Sequence, residues 1–284
     1  VRVVILKNAD AVAKSAAEES IRRIGLADLV GTAGLDSVKI PLEKPVVVGL
    51  ATGGTPLGLY REWIRACQAG QISFANTMSF NLDEYVGLPP EDPRSYHAYM
   101  HENLFRHIDI PPGRSFLPKT DVGNLEESAA DYEWKIEQAG GIDYQILGIG
   151  SDGHIGFNEM GSSLASRTRV KTLTKKTRMD NARYFDSFDA VPTMAITMGI
   201  GTIMNARSIL LLATGAGKAK AIRDTAEGPV TAMVPASVLQ FHDDVTLMID
   251  EEAAKELSHR EYYLESEANR RRIELAESTG LQIE

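Results

Sequence analysis

Six apolar runs recur along the chain: VRVVIL (1–6), VVVGLA (46–51), MSFNL (78–82), YQILGI (144–149), SILLLA (208–213) and VTLMID (245–250). Each is continuous rather than alternating, the pattern of strands covered on both faces. Between them apolar positions take helical spacing, which predicts helices over Ala9–Ile24, Pro56–Ala69, Ser95–His107, Asn124–Ala139 and Gly217–Glu227. A charged helical stretch follows from Glu251 to Glu284. Strands alternating with helices predict a single α/β domain, a doubly wound, mostly parallel, Rossmann-like sheet with helices on both faces. No internal repeat or low-complexity linker divides the chain. The segments expected to be loosest are 31–44 and the region after Met160.

Composition narrows the function classes. Of 284 residues 43% are apolar, and 30 basic against 39 acidic side chains give a net charge of −9. That balance argues against broad electrostatic binding to nucleic acid or to an anionic membrane. No apolar run approaches the length of a bilayer span. The opening VRVVILKNADAVAK lacks the long apolar stretch of a secretory signal. A single cysteine, Cys67, cannot form an internal disulfide, so a reducing cytoplasm is expected.

In an open α/β sheet, ligands bind beyond the carboxyl ends of the strands, so the residues after each run carry the candidate chemistry. After the second run comes ATGGTP, where Thr55 suits a helix N-cap and Pro56 the first turn. Gly53 and Gly54 would let backbone N–H groups approach an anion at that positive helix end. After the third comes FNLDEYVGLP, with Asp83 and Glu84 at a strand end. Adjacent side chains diverge there, so one carboxylate is expected to face the cleft. After the fifth comes ATGAGKAKAI. It is not a nucleotide P-loop, because Leu212 and Ala219 stand where Gly and Ser or Thr are needed. Lys218 beside the glycine turn can still serve as a point charge for phosphate. For these three loops an ordinary turn or a solvated acid pair stays open as the alternative.

The fourth run leads into GIGSDGHIGFNE (148–159). Gly148, Gly150 and Gly153 satisfy the dinucleotide spacing, but HIGFNEMGSS is a poor helix and the next acid after Glu159 is Asp180, which speaks against nicotinamide binding. Asp152, His154 and Glu159 offer three metal ligands, though not in a dedicated metal spacing. A histidine flanked by two carboxylates fits acid–base chemistry better, since nearby negative charge stabilises imidazolium. Downstream, Arg167, Arg169, Lys171, Lys175, Lys176, Arg178 and Arg183 form a basic segment, in keeping with an anionic ligand or with a solvated loop. The residues alone therefore point to a proton-transfer enzyme acting on a small phosphorylated substrate.

At these motifs the sequence resembles the glucosamine-6-phosphate deaminase (isomerase) family. The resemblance runs from about Val46 to Leu239 through ATGGTPLGLY, FNLDEYVGLP, PRSYHAYMHENLF, GIGSDGHIGFNE, SSLASRTRVKTL and NARYF. It implies conversion of glucosamine 6-phosphate and water to fructose 6-phosphate and ammonia, with no metal or organic cofactor. His154 would assist ring opening, Asp152 and Glu159 would orient and tune it, and Asp83 would move a proton from C2 to C1. Gly53, Gly54, Thr55, Arg183 and Lys218 would hold the substrate phosphate. Ser162, Arg169 and Lys171, with Tyr262 from the C-terminal region, would form a separate site for N-acetylglucosamine 6-phosphate as activator in a homo-oligomer.

Three departures from the family stand out. The stretch Leu26–Lys44 is longer, TAMVPASVLQFH lacks the tryptophan-bearing version of regulated members, and Met160 replaces the usual proline at the start of a lid-like segment of about 160–184. The first two bear on activation and assembly, the third on how the lid moves, and none on the catalytic set. A related sugar-phosphate lactonase or isomerase, like the 6-phosphogluconolactonases that share the fold and a glycine-Asp-Gly-His loop, and a non-catalytic sugar-phosphate sensor are the alternatives.

Overall fold

Ile209, Leu211 and Ala213 pack into one buried cluster, whereas the intervening Leu210 and Leu212 pack into another. A strand with apolar neighbours on both sides has no solvent face to mark with polar residues, which is why this run reads as continuous.

The computed structural model describes residues 1–23, Gly25 and 44–279. Its elements are β1 (Arg2–Leu6), α1 (Ala9–Arg23), β2 (Val46–Leu50), α2 (Pro56–Gln68), β3 (Thr77–Asn81), β4 (Asp83–Tyr85), α3 (Tyr96–Asn103), β5 (Ser115–Phe116) and α4 (Leu125–Gln138). They continue as β6 (Tyr144–Leu147), β7 (Arg169–Thr172), α5 (Lys175–Asn181), β8 (Met194–Thr197), α6 (Ile200–Met204), β9 (Ser208–Ala213), α7 (Ala219–Ala226), β10 (Val245–Asp250) and α8 (Arg260–Thr279). The expected long segment 26–44 lies outside the described residues except for Lys44, as do Ile24 and the last five positions of the C-terminal stretch. Among the described residues no helix is long and apolar enough to cross a membrane.

Seven strands form one parallel sheet in the order β1-β10-β9-β6-β2-β3-β5. Side chains of α1, α2 and α3 (Ala16, Leu59, Trp63, Met100) fill one face, and those of α4, α6 and α7 (Tyr132, Ile203, Ile222) fill the other. Trp63 is fully buried and donates its indole N–H to Ser20 Oγ at 2.9 Å, fastening α2 to α1. The doubly wound, Rossmann-like architecture is therefore as expected. The chain steps outward from β2 through β3 to β5, then returns to β6 on the other side of β2. The order reverses between β2 and β6, the place where such sheets open a ligand crevice.

A second sheet was not foreseen. It is antiparallel, in the order β4-β8-β7, with Asp83 opposite Thr197 and Arg169 also opposite Thr197 on the other side. The region after Met160, expected to be loose, thus holds a strand and a helix. Glu133 on α4 secures it: its carboxylate accepts the Thr168 backbone N–H at 2.7 Å and pairs with Arg167 at 2.7 Å. The C-terminal helix also begins later than expected, at Arg260 rather than Glu251. It is tied to β1 by Arg2, whose guanidinium pairs with Glu267 at 2.8 Å.

Candidate active site

The loops after β2, β6 and β9 and the start of β4 enclose a cavity of about 370 Å³. Asp83, His154, Gly53, Gly54, Thr55, Arg183 and Lys218 all line it. The crevice therefore lies at the reversal of strand order; Asp152 and Glu159 approach His154 but do not themselves line it.

Asp83 begins β4 and is 5% exposed. Beside it, Tyr85 packs at 4.8 Å from Tyr96 and 5.4 Å from Phe157, forming an aromatic wall. Burial raises the Asp83 pKa to about 8, the charge of Glu84 adds to the rise, and a backbone hydrogen bond from Phe157 offsets it only in part. Glu84 turns elsewhere. Its carboxylate accepts backbone N–H groups of Tyr85 (2.8 Å), Tyr96 (2.9 Å) and His97 (2.8 Å), the last two at the first turn of α3. One acid thus faces the cleft and the other secures a helix start, the division that divergent side chains at a strand end predict.

The histidine loop folds back on itself, with Gly150 donating to the His154 carbonyl at 2.8 Å and Gly153 donating to the Gly150 carbonyl at 3.0 Å. Gly153 takes a φ of +85°, and a Cβ there would fall 2.6 Å from Val234 Cγ1. A Cβ on Gly150 would fall 2.3 Å from His154 Cε1 and Nδ1, so the imidazole rests against bare backbone. Of the glycines of the apparent dinucleotide motif, Gly150 seats this ring and Gly153 permits the turn beside Val234.

His154 Nδ1 lies 2.7 Å from Asp152 Oδ1 and 3.9 Å from Glu159 Oε2. Nδ1, Asp152 Oδ2 and Glu159 Oε2 are buried without hydrogen-bond partners. Burial pushes the Asp152 carboxyl up, but contact with His154 and backbone N–H groups outweigh it, leaving the pKa well below the usual range. Glu159 is 2% exposed, and its Oε1 accepts the Thr174 N–H at 3.0 Å, joining the histidine loop to the start of α5. The ligating atoms of Asp152, His154 and Glu159 lie within 4.8 Å of one another, the spacing of a candidate cation site.

At the other end of the cavity, α2 starts at Pro56 as expected, but Thr55 differs in detail. Its backbone is helical (φ −69°, ψ −45°) and its side chain makes no capping hydrogen bond, so the hydroxyl lines the cleft. Tyr99 holds the turn by donating to the Gly53 carbonyl at 2.6 Å. Lys218 donates to the Ile149 carbonyl at 2.6 Å, and burial lowers its pKa while Asp180 pulls the other way. Arg183 follows α5 and stacks its guanidinium on Tyr184 at 4.8 Å. This end presents free N–H groups, a hydroxyl and two cations, the chemistry of an oxyanion holder.

The second expected site is not assembled as a whole. Ser162 is buried with an unpartnered hydroxyl, and Arg169 donates to Asn158 Oδ1 at 3.0 Å on β7, which also carries Lys171. Tyr262 is 66% exposed on α8, which packs at the β1 edge of the large sheet, whereas β7 belongs to the small one. Tyr96, within PRSYHAYMHENLF, and Asp180 are among the cavity residues to which the sequence assigns no role.

Comparison with known proteins identifies the family and the fold. Residues 36–248 match the family described as glucosamine-6-phosphate isomerases/6-phosphogluconolactonase. A glucosamine-6-phosphate deaminase of Colwellia psychrerythraea strain 34H is 48% identical over 281 residues, covering 99% of this chain and 98% of the relative. One of Cellvibrio japonicus strain Ueda107 is 48% identical over 96% of this chain and 97% of the relative. The solved structure of a monomeric glucosamine-6-phosphate deaminase superposes with a TM-score of 0.82 at 44% identity, covering 90% of this chain and 100% of that one. A 6-phosphogluconolactonase from Trypanosoma cruzi, 20% identical with a TM-score of 0.68 over 90% of this chain and 97% of its own, shares the fold. The chain belongs to the glucosamine-6-phosphate isomerase/6-phosphogluconolactonase family.

Proposed function

We propose that the chain is a glucosamine-6-phosphate deaminase, converting glucosamine 6-phosphate and water to fructose 6-phosphate and ammonia. One observation carries the reading: buried Asp83 and carboxylate-flanked His154 share a cleft whose far end is built for an oxyanion. The near-full-length likeness to deaminases supports the choice of substrate.

In this mechanism Gly53, Gly54, Thr55, Arg183 and Lys218 bind the phosphate, the part of the substrate that does not react, and so fix the sugar carbons against Asp83. His154 relays the proton between the ring oxygen and the C1 hydroxyl as the pyranose opens. Asp152 and Glu159 orient the imidazole for that relay. The Asp83 carboxylate removes the C2 proton, giving an enolamine, and returns it to C1. Water then adds to the resulting C2 imine, and ammonia leaves to give the ketose. A wall that excludes water around Asp83 makes it a stronger base and keeps the abstracted proton from exchanging.

The same reading places the enzyme in the cytoplasm, with a small amino sugar phosphate as its partner. Activation by N-acetylglucosamine 6-phosphate would require Tyr262, or an equivalent aromatic side chain, to be brought to Ser162, Arg169 and Lys171 by another subunit. The test of the substrate class is a parallel assay with glucosamine 6-phosphate and 6-phosphogluconolactone. Turnover of the first and not the second is expected, and the reverse would replace this reading with the lactonase.

A further inference from the structure

Asp180 brings a carboxylate into the end of the cleft that carries Arg183 and Lys218. An acid in that position opposes a phosphate dianion. Lys176, one helical turn earlier on α5, engages it: the ammonium donates to Asp180 Oδ2 at 2.9 Å and to Ser151 Oγ at 2.5 Å. Ser151 also lines the cleft and precedes Asp152 in the histidine loop. One flexible side chain therefore neutralises the intruding acid and joins α5 to that loop. The pair is about half exposed, at 50% and 55%, so the lysine stem is free to turn toward an arriving anion.

We propose that Lys176 and Asp180 form a charge-compensating pair that sets how tightly the cleft holds the phosphate group of its substrate. This rests on the reading of Gly53, Gly54, Thr55, Arg183 and Lys218 as the phosphate end. With Lys176 in place Asp180 is cancelled and Arg183 and Lys218 act on the anion unopposed. Without Lys176 the bare carboxylate offsets one of them. Without Asp180 the ammonium becomes an additional attractive charge.

The test uses inorganic phosphate as the probe, titrated calorimetrically into the full chain at low ionic strength. Lys176→Met is expected to weaken phosphate binding by about 2–5-fold and Asp180→Asn to tighten it by a similar factor, the range of a partly exposed charge pair. The double variant is expected to return close to the wild-type Kd, because the removed pair has no net charge. Both single-variant effects should shrink as salt is raised. In turnover, KM for glucosamine 6-phosphate should follow the phosphate Kd, with kcat changing less than KM. Unchanged Kd in both single variants, with the fold intact by circular dichroism, would overturn the proposal. So would a double variant that keeps the full defect of Lys176→Met, since that marks a structural link rather than charge compensation. Because the titration needs no turnover, failure of the deaminase reading would show separately, as a wild-type chain that binds phosphate but releases no ammonia.

Discussion

Asp83 and Glu84 are neighbours in sequence yet serve opposite ends of one strand-to-helix connection: Asp83 lines the cleft, and Glu84 accepts three backbone N–H groups, two of them at the start of α3. Their substitutions should therefore separate activity from stability. Asp83→Asn is expected to lower kcat by about a thousandfold or more while phosphate still binds, as for loss of an essential proton carrier. Glu84→Gln replaces an acceptor of three N–H groups with an amide that repels at least one of them, and is expected to destabilise by about 2–3 kcal/mol. Chemical denaturation and steady-state kinetics on the two variants check the split. A Glu84→Gln chain as stable as wild type would contradict it.

The raised pKa of Asp83 fixes the direction of a pH dependence. The base must be ionised to take the C2 proton, and in the free enzyme it ionises at about 8. The profile of kcat/KM should therefore climb with pH and level off above about 8. The ammonium of a bound amino sugar favours the carboxylate, so the corresponding limb of kcat should lie at lower pH. A kcat/KM limb near the ordinary aspartate value of about 4 would contradict the desolvated site.

The same shift carries a stability cost with a definite sign. A carboxyl whose folded pKa lies above its unfolded one contributes stability that is whole below the unfolded value and is lost as pH rises through the folded value. For Asp83 that window runs from about 4, the ordinary value, to about 8. Asp83→Asn cannot ionise, so its Tm at pH 8 should exceed the wild type's by roughly 2–5 °C, with little difference at pH 4. Thermal melts at the two pH values test this. Equal gains at both would show that burial of the charge is not the cause.

Two glycines provide a steric contrast. A methyl on Gly150 would strike the His154 ring at 2.3 Å, whereas one on Gly54 meets nothing within 4 Å. Gly150→Ala is expected to displace the imidazole and lower kcat by about 10–100-fold, the cost of misplacing a catalytic group by around an ångström. Gly54→Ala should leave the fold and kcat largely intact and raise KM, because its methyl occupies the space by which phosphate reaches the backbone N–H groups. The kcat-to-KM split in the two variants is the measurement, and equal kcat losses would contradict the contrast.

Much of this site could be read along the chain, and the reason differs from residue to residue. The runs SILLLA and VTLMID coincide with β9 and β10 because interior strands of a covered sheet are buried at every position and carry mostly apolar residues. Asp83, His154 and Lys218 stood out because parallel strands deliver their carboxyl ends to one side of the sheet. The small sheet was not legible. β4 is DEY and β7 is RVKT, three and four residues of mixed polarity, and their pairing with β8 joins positions more than twenty apart in sequence. Asp180, and the pairing of Lys176 with it, were obscured for the same reason. Their place at the cleft depends on α5 being carried there by β7 and by the Glu159–Thr174 contact, which are tertiary facts. Thr55 shows the converse error, a residue of good capping type whose hydroxyl is left to the cleft.

The central claim is deamination with isomerisation at a cleft where Asp83 and His154 meet a phosphate holder. Its most direct test is incubation of the purified chain with glucosamine 6-phosphate, quantifying ammonia and fructose 6-phosphate together. The account predicts that both appear in equimolar amounts from the wild type and that Asp83→Asn yields neither above a blank. A folded, phosphate-binding wild-type chain that yields no product, or an Asp83→Asn chain that retains wild-type turnover, would contradict it.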